Sequence, residues 1–296
     1  MLPSWSRRLP VLRTYEALRA ARARLEATKE ELRRTRDERD RARRRVAHVF
    51  SHGRLKELLL AHGPAYAAAD PYPHVVIDDA LEPAMLEEVL EEFDGMDRSR
   101  WHHTERETER KSSTEDFQHF GPTTRALIAQ LNAAPFLAFL EQLTGIAGLI
   151  PDPHLRGGGL HEIHRNGALG VHADFNFYPR LGLYRRLNLL LYLNRDWPAA
   201  WGGELELWDR GGTHCVRSIA PVFNRIVVFD TSNFSYHGHP RPLACPETRA
   251  RKSVALYYYT VECAAEDDRV PHTTVFLDSR GTPPPAVPAA AASDTR

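Results

Sequence analysis

The sequence of 296 residues is poor in cysteine and has no long apolar run. Its three cysteines, Cys215, Cys245 and Cys263, form no CxxC pair and no even-numbered framework, so we expect free thiols in a reducing compartment. No stretch approaches the ~20 apolar residues that span a bilayer. The N-terminus also lacks the sustained apolar core of a signal peptide. These absences predict a cytoplasmic protein without a transmembrane segment.

A net charge of zero conceals an uneven distribution along the chain. Residues 1–60 carry 17 Lys and Arg against 8 Asp and Glu, a balance of +9, and the remainder therefore sums to −9. Opposite signs in the two parts favour separate modules. We predict a basic helical extension over 1–60, a Pro/Gly/Ala hinge over 61–73, a main domain over 74–280 and a disordered low-complexity tail over 281–296.

Residues 14–48 contain no Gly or Pro and are rich in strong helix formers. Leu18, Leu25 and Leu32 recur every seven residues, which is typical of a thin coiled-coil seam. The pattern fits a long solvated helix, and it also fits a helix for homo-oligomerisation or partner docking. The basic run at 41–45 could touch nucleic acid or anionic lipid, but it lacks interleaved aromatic residues. We therefore do not expect nucleic-acid binding.

The first part of the main domain is predicted to be mostly helical. Residues 74–78 read as a strand, 82–93 as a helix, and 123–146 as two helices broken at Pro135. The polar stretch between them reads as a surface loop. This loop, over 97–120, is either an ordinary solvated connection or a substrate lid that carries Trp101, His102, His103 and Lys111.

From about Gly157 the sequence consists of short β-forming runs separated by turn residues, such as "LNLLLYLN", "GELELWD" and "RIVVFDT". Short strands at this spacing are typical of an antiparallel sandwich or jelly roll. We therefore predict an α+β protein with a mainly β core, supporting helices and a long N-terminal helix.

A histidine and an aspartate lie two positions apart in "GVHADFNF", at His172 and Asp174. In a strand these side chains project from the same face. The pair alone fits two ordinary hydrogen-bonding residues, but His237 follows 63 residues after Asp174, at the end of another apolar strand. Two histidines and one carboxylate form the open-sided site of non-haem Fe(II) oxygenases. We favour His237 over His239 as the third ligand, because His239 adjoins Pro240, where the strand should end.

A further strand, "TRARKSVALYYYT", carries Arg249, Arg251, Ser253, Ala255 and Tyr257 on one face. A guanidinium among apolar strands is costly unless it meets an anion, and it suits a carboxylate. The pattern therefore favours a dicarboxylate cosubstrate at Arg251. An arginine at the rim that pairs with Asp or Glu would produce the same pattern, and Arg249 stays a competitor.

Four motifs in order, "HADF", "RRLNLLLYLNRDWPAAWGGELELWD", "YHGHP" and "RKSVALYYYT", resemble the Fe(II)/2-oxoglutarate-dependent dioxygenase superfamily, and within it the prolyl 4-hydroxylase-like branch. The resemblance covers roughly residues 74–262. It implies a double-stranded β-helix, or jelly roll, within a dioxygenase domain over 74–280. It also implies a set of site residues: the iron ligands His172, Asp174 and His237, and the cosubstrate pocket residues Arg251, Tyr192, Asn188, Leu205 and His164.

The same resemblance implies hydroxylation of an unactivated C–H bond, with Fe(II), 2-oxoglutarate and O₂ as cofactors and cosubstrates and with release of succinate and CO₂. It allows stimulation by ascorbate. Proline, in a peptide or free, is the suggested substrate, and other small molecules fit as well. Two alternatives stay open: a catalytically silent jelly-roll scaffold that acts through its N-terminal helix, and a cupin-like metalloenzyme that uses no 2-oxoglutarate.

Overall fold

The computed structural model describes residues 8–46, 50 and 52–277. The chain divides into two compact units, Met1–His48 and Val49–Arg296. The predicted disordered tail over 281–296 lies outside the described residues, as does the end of the predicted main domain.

The described part of the first unit is one helix, α1, over Arg8–Val46. Its leucine seam faces solvent, with Leu18, Leu25 and Leu32 exposed by 67%, 54% and 51%. Ion pairs within the helix support it, such as Lys29 with Glu26 at 3.0 Å and Arg34 with Glu38 at 3.1 Å. The predicted long helix is therefore present, and its coiled-coil role stays a prediction.

Within the described residues, the second unit contains four α-helices: α2 over His52–Tyr66, α3 over Pro83–Asp94, α4 over Pro122–Leu131 and α5 over Ala134–Thr144. The predicted break at Pro135 is confirmed, since this proline opens α5, where its missing N–H costs nothing. Among the described helices none is by itself long and apolar enough to cross a bilayer, although the bent pair α4 and α5 together reach that length and composition.

Helix α2 corrects the predicted hinge over 61–73. The helix runs to Tyr66, past Gly63 and Pro64, and it packs on α5 in the second unit. Its buried side chains Leu55, Leu58 and Tyr66 explain why tertiary packing outweighs the two helix-breaking residues. The boundary between the units therefore falls before α2, and part of the predicted 1–60 extension belongs to the main domain.

The strands form one curled, fully antiparallel arrangement. In chain order they are β1 (His74–Ile77), β2 (His102–Arg106), β3 (Glu109–Thr114), β4 (Ile150–Pro151), β5 (Gly159–Ile163), β6 (Leu169–Ala173), β7 (Phe177–Tyr178), β8 (Leu183–Tyr192), β9 (Leu205–Trp208), β10 (Cys215–Ile219), β11 (Arg225–Asp230), β12 (His237–His239), β13 (Arg251–Thr260) and β14 (Val275–Phe276). Two four-stranded runs, β11-β8-β13-β5 and β6-β12-β9-β10, are joined through β3. This is the predicted jelly roll with a mainly β core.

Alternation along the strands separates the core from the site. On β8, Leu187, Leu189 and Leu191 are buried in the cluster that also holds the apolar faces of α3, α4 and α5. Asn188 and Leu190, which alternate with them, face a cavity between the two runs of strands. The helices therefore support one sheet from outside and leave its inner face free for polar side chains.

The predicted loop over 97–120 is largely a hairpin, which is a correction. Strands β2 and β3 pair with each other, and β3 also pairs with β5. The polar, charged composition gave no strand signal because most of the side chains of β2 face solvent. The hairpin is held by backbone pairing to the sheet edge instead of by an apolar face.

Candidate metal and cosubstrate site

His172, Asp174 and His237 meet at one point of the cavity. His172 lies near the end of β6, Asp174 directly follows that strand, and His237 begins β12. His172 and His237 are directly opposed in the antiparallel β6–β12 pair. Their ring centroids are 4.4 Å apart, and one ligand atom from each of the three residues lies within 4.8 Å of the others. Strand pairing thus joins residues that are far apart in sequence.

Both imidazoles are oriented by the backbone. The Nδ1–H of His172 donates to the oxygen of Gly170 at 2.8 Å, and that of His237 donates to the oxygen of Ser235 at 2.9 Å. Because a carbonyl can only accept, Nδ1 carries the proton and Nε2 keeps its lone pair in each neutral ring. These Nε2 atoms point to Asp174, at 3.6 Å and 3.4 Å from its carboxylate oxygens. Burial, followed by the neighbouring His237, lowers the pKa of His172 and favours the neutral ligand form.

Asp174 is held by two side chains of β8. Asn188 donates to Asp174 Oδ2 at 2.8 Å, and Arg185 Nη2 lies 2.9 Å from the same oxygen. Arg185 also donates to Asn188 Oδ1 at 2.8 Å, which closes the triangle. Burial by itself would raise the pKa of Asp174, but the charge of Arg185 holds it well below its usual range. The carboxylate is therefore ionised and fixed in place.

Arg185 is the most informative residue that sequence reasoning missed. Its guanidinium lies 3.5 Å from the ring centroid of Tyr257 and 4.7 Å from that of Phe175, and the residue is only 3% exposed. The β8–β13 register shifts between Tyr258 and Tyr259, so that Arg186 is the extra residue of β8. This bulge turns Arg185 toward the cavity, whereas strict alternation from Asn188 would have turned Arg186 there.

Arg251 lies in the same cavity, whose volume is about 530 Å³. It is 5% exposed; its Nε donates to the oxygen of Gly203 at 2.7 Å and its Nη2 to Tyr192 Oη at 3.2 Å. No carboxylate pairs with it in the described part of the chain. A buried guanidinium without a counter-ion is costly, so the geometry calls for an anionic ligand.

Gly203 allows this placement of Arg251. Its φ is +82°, and a Cβ at this position would lie 2.6 Å from Leu243 Cδ2 and 3.0 Å from Arg251 Cδ. Only glycine combines this backbone conformation with such a close approach. The second glycine of "GGEL" therefore makes room for the arginine.

The other predicted pocket residues divide into two groups. Asn188 and Leu205 line the cavity. Tyr192 does not line it, but its hydroxyl accepts a hydrogen bond from Arg251, which does. His164 lies elsewhere, exposed and 3.3 Å from the carboxylate of Glu162. Arg249 also points away, since its guanidinium contacts the Arg195 backbone oxygen and lies 5.1 Å from the ring centroid of Trp201. The structure therefore brings Arg251, and neither Arg249 nor His164, to the cavity.

The hairpin β2–β3 contributes Lys111, Glu109 and Arg106 to the cavity wall. Lys111 Nζ lies 2.9 Å from Glu109 Oε1. Of the other residues named for a lid, Trp101 is buried against Phe93 and the side chains of His102 and His103 are exposed. The hairpin thus covers one side of the cavity through β3.

The donor set fits a non-haem Fe(II) ion. Two imidazole nitrogens and one ionised carboxylate converge on one point, and each is oriented by a further hydrogen bond. The cavity beside them leaves space for further ligands.

Comparison with known families agrees with this chemistry. Residues 158–259 match the family model of the 2OG-Fe(II) oxygenase superfamily. The match contains the triad, Arg185, Asn188 and Arg251. No curated protein sequence matches the chain.

Several solved structures are similar to the chain. A prolyl hydroxylase from Trichoplax adhaerens, in complex with a hypoxia inducible factor peptide fragment, is 16% identical, with a TM-score of 0.46 over 70% of this chain and 88% of that one. A Pseudomonas putida prolyl-4-hydroxylase is 15% identical, with a TM-score of 0.47 over 71% and 99%. HygX from Streptomyces hygroscopicus, with nickel and 2-oxoglutarate bound, is 13% identical, with a TM-score of 0.43 over 71% and 87%.

Proposed function

We propose that the chain is an Fe(II)- and 2-oxoglutarate-dependent dioxygenase that hydroxylates an unactivated C–H bond. One observation carries this proposal: the His172, Asp174 and His237 ligand atoms converge in a cavity that also holds Arg251, a buried cation without a carboxylate partner among the described residues. A metal site and a separate carboxylate site in one cavity suit a dicarboxylate that must also reach the metal.

The chain supplies binding, orientation and exclusion of water. His172, Asp174 and His237 would hold the iron, and Arg251 with Tyr192 would bind one carboxylate of 2-oxoglutarate. With iron bound, 2-oxoglutarate and O₂ supply the oxidising chemistry, by which the substrate C–H becomes C–OH while 2-oxoglutarate becomes succinate and CO₂. The cavity walls, including Phe175, Leu205 and Tyr257, keep bulk water from the reacting groups.

The presence of Asp174 supports hydroxylation as the outcome. A carboxylate that occupies a coordination position leaves no place there for a halide, and here Arg185 and Asn188 fix that carboxylate. The substrate class is proposed from the sequence resemblance: a prolyl group in a peptide, or a small molecule with a comparable C–H bond.

Iron content and uncoupled turnover test the proposal. The purified full chain should bind about one Fe(II) per molecule and slowly convert 2-oxoglutarate to succinate without a substrate. We expect His172→Ala to lose both, because two ligands hold the metal much more weakly than three. Full turnover in His172→Ala would refute the proposal, and a wild-type chain that binds no iron would support the silent scaffold instead.

We also propose that α1 mediates self-association through its exposed seam of Leu18, Leu25 and Leu32. The sedimentation coefficient of the full chain tests this, since a monomer at micromolar concentration would contradict it.

A further inference from the structure

His239 is a buried side chain that the proposed chemistry does not use. It is 4% exposed, and neither Nδ1 nor Nε2 has a hydrogen-bond partner among the described residues. In either tautomer one of these nitrogens carries a proton that must be donated. Buried polar atoms in proteins are nearly always paired, so an orphaned imidazole indicates a missing partner.

The position of His239 shows where that partner would lie. It is two residues beyond His237 on β12, and both side chains line the same cavity. A Cβ at the intervening Gly238 would point instead into the backbone of β6, 2.7 Å from the oxygen of Gly170. The unpaired ring therefore faces the inside of the jelly roll, where a ligand can reach it.

The charges around His239 indicate an anion. Arg251, a cation without a carboxylate partner among the described residues, lines the same cavity as His239. A cation would be repelled here, and the metal-ligand group of the cavity is completed by His237 without His239. A hydrogen-bond acceptor with negative charge fits best.

Two other donors of the cavity, Lys111 and His161, already have partners within the protein. Lys111 pairs with Glu109 at 2.9 Å, and His161 Nε2 lies 3.2 Å from the oxygen of Gly157. Arg251 has used Nε and Nη2, but its Nη1 has no partner among residues that the structure describes. Arg251 on β13 and His239 on β12 thus lie on different runs of strands, and each has a nitrogen without a partner among the described residues.

We propose that His239 donates a hydrogen bond to the same carboxylate that Arg251 binds, and so acts as a second positioning residue for the dicarboxylate cosubstrate. This inference rests on the proposed function. The carboxylate would then be held from both runs of strands, by Arg251 and Tyr192 on β13 and β8 and by His239 on β12. The unpaired imidazole lowers the stability of the ligand-free protein, but it keeps a donor in position for the ligand.

Titration calorimetry with 2-oxoglutarate on the Mn(II)-loaded full chain tests this proposal without turnover. His239→Leu removes the donor and keeps an apolar side chain of similar bulk. We expect its dissociation constant to rise about 10- to 100-fold, the effect of losing a hydrogen bond to a charged group. His239→Gln keeps an N–H donor and should recover most of the affinity. His164→Leu, outside the cavity, is the matched control and should bind as the wild type does.

A second ligand identifies the carboxylate. 2-Oxopentanoate has the same chain length as 2-oxoglutarate. It ends in a methyl group where 2-oxoglutarate has its far carboxylate, the one remote from the 2-oxo group. His239→Leu should bind it as well as the wild type does, because the group that His239 contacts is missing. An equal loss of affinity for both ligands would overturn the assignment to the far carboxylate.

Thermal unfolding separates this role from a structural one. In the metal-free, ligand-free state His239→Leu should melt at the same temperature as the wild type or higher, because an orphaned buried polar group is removed. A lower melting temperature with unchanged affinity for 2-oxoglutarate would overturn the inference. If the wild type itself fails to bind 2-oxoglutarate, the proposed function is wrong. If the wild type binds it and both His239→Leu and His239→Gln bind it equally well, only this inference is wrong.

Discussion

The metal end of the cavity and its Arg251 end differ in whether their polar side chains have partners within the protein. At the metal end, His172 and His237 donate to backbone oxygens, and Asp174 accepts from Asn188 and Arg185. At the other end Arg251 has no carboxylate partner and His239 no hydrogen-bond partner among the described residues.

The contrast follows from what each end would bind. A metal needs ligands held in a fixed geometry, which requires a complete network around them. An anion needs donors that are still free when it arrives, and the surrounding core keeps these donors in place at some cost in stability. Variants at each end should therefore affect different ligands.

The largest effect is expected at the Arg251 end. Arg251→Leu should weaken the binding of 2-oxoglutarate to the Mn(II)-loaded chain by about 100-fold or more, because a charge-assisted hydrogen-bonded pair is lost. Metal affinity should change little. Calorimetry with each ligand measures both values. Unchanged 2-oxoglutarate affinity would show that Arg251 does not bind the cosubstrate.

A smaller loss of affinity, for the metal instead of for 2-oxoglutarate, is expected from Arg185→Leu at the metal end. The variant removes the cation that orients Asp174 and keeps its pKa low, so metal affinity should fall about 10- to 100-fold. The dissociation constant of Mn(II), measured by calorimetry at pH 7, checks this. Arg186→Leu, one position away and directed to Thr260, is the matched control and should leave the constant unchanged.

The last effect, on stability instead of on ligand affinity, is expected from Gly203→Ala, which acts on the Arg251 end through packing. A methyl group 2.6 Å from Leu243 Cδ2, at a φ of +82°, should cost about 1–3 kcal/mol of unfolding free energy and displace Arg251. Gly182→Ala is the control, because its φ is +66° but no atom lies within 4 Å of the new Cβ. Urea denaturation should show a smaller loss for Gly182→Ala, and equal losses would contradict the packing argument.

Much of the fold followed from local patterns. Apolar periodicity predicted α3, α4 and α5, and the short β-forming runs predicted β5, β8, β9, β11 and β13. The helix α2 and the β2–β3 hairpin were missed, because packing on α5 and pairing with β5 formed them in spite of their local sequence.

The sequence by itself determined which chemical groups are available: two histidines and an aspartate of metal-binding type, and an arginine among apolar strands. Only the tertiary structure decided which of them meet. Strand pairing placed His237 opposite His172, the bulge in β8 turned Arg185 and not Arg186 to Asp174, and the fold left His239 buried without a partner. The physical reason is that register, bulges and burial depend on contacts between residues far apart in the chain, which local alternation does not encode.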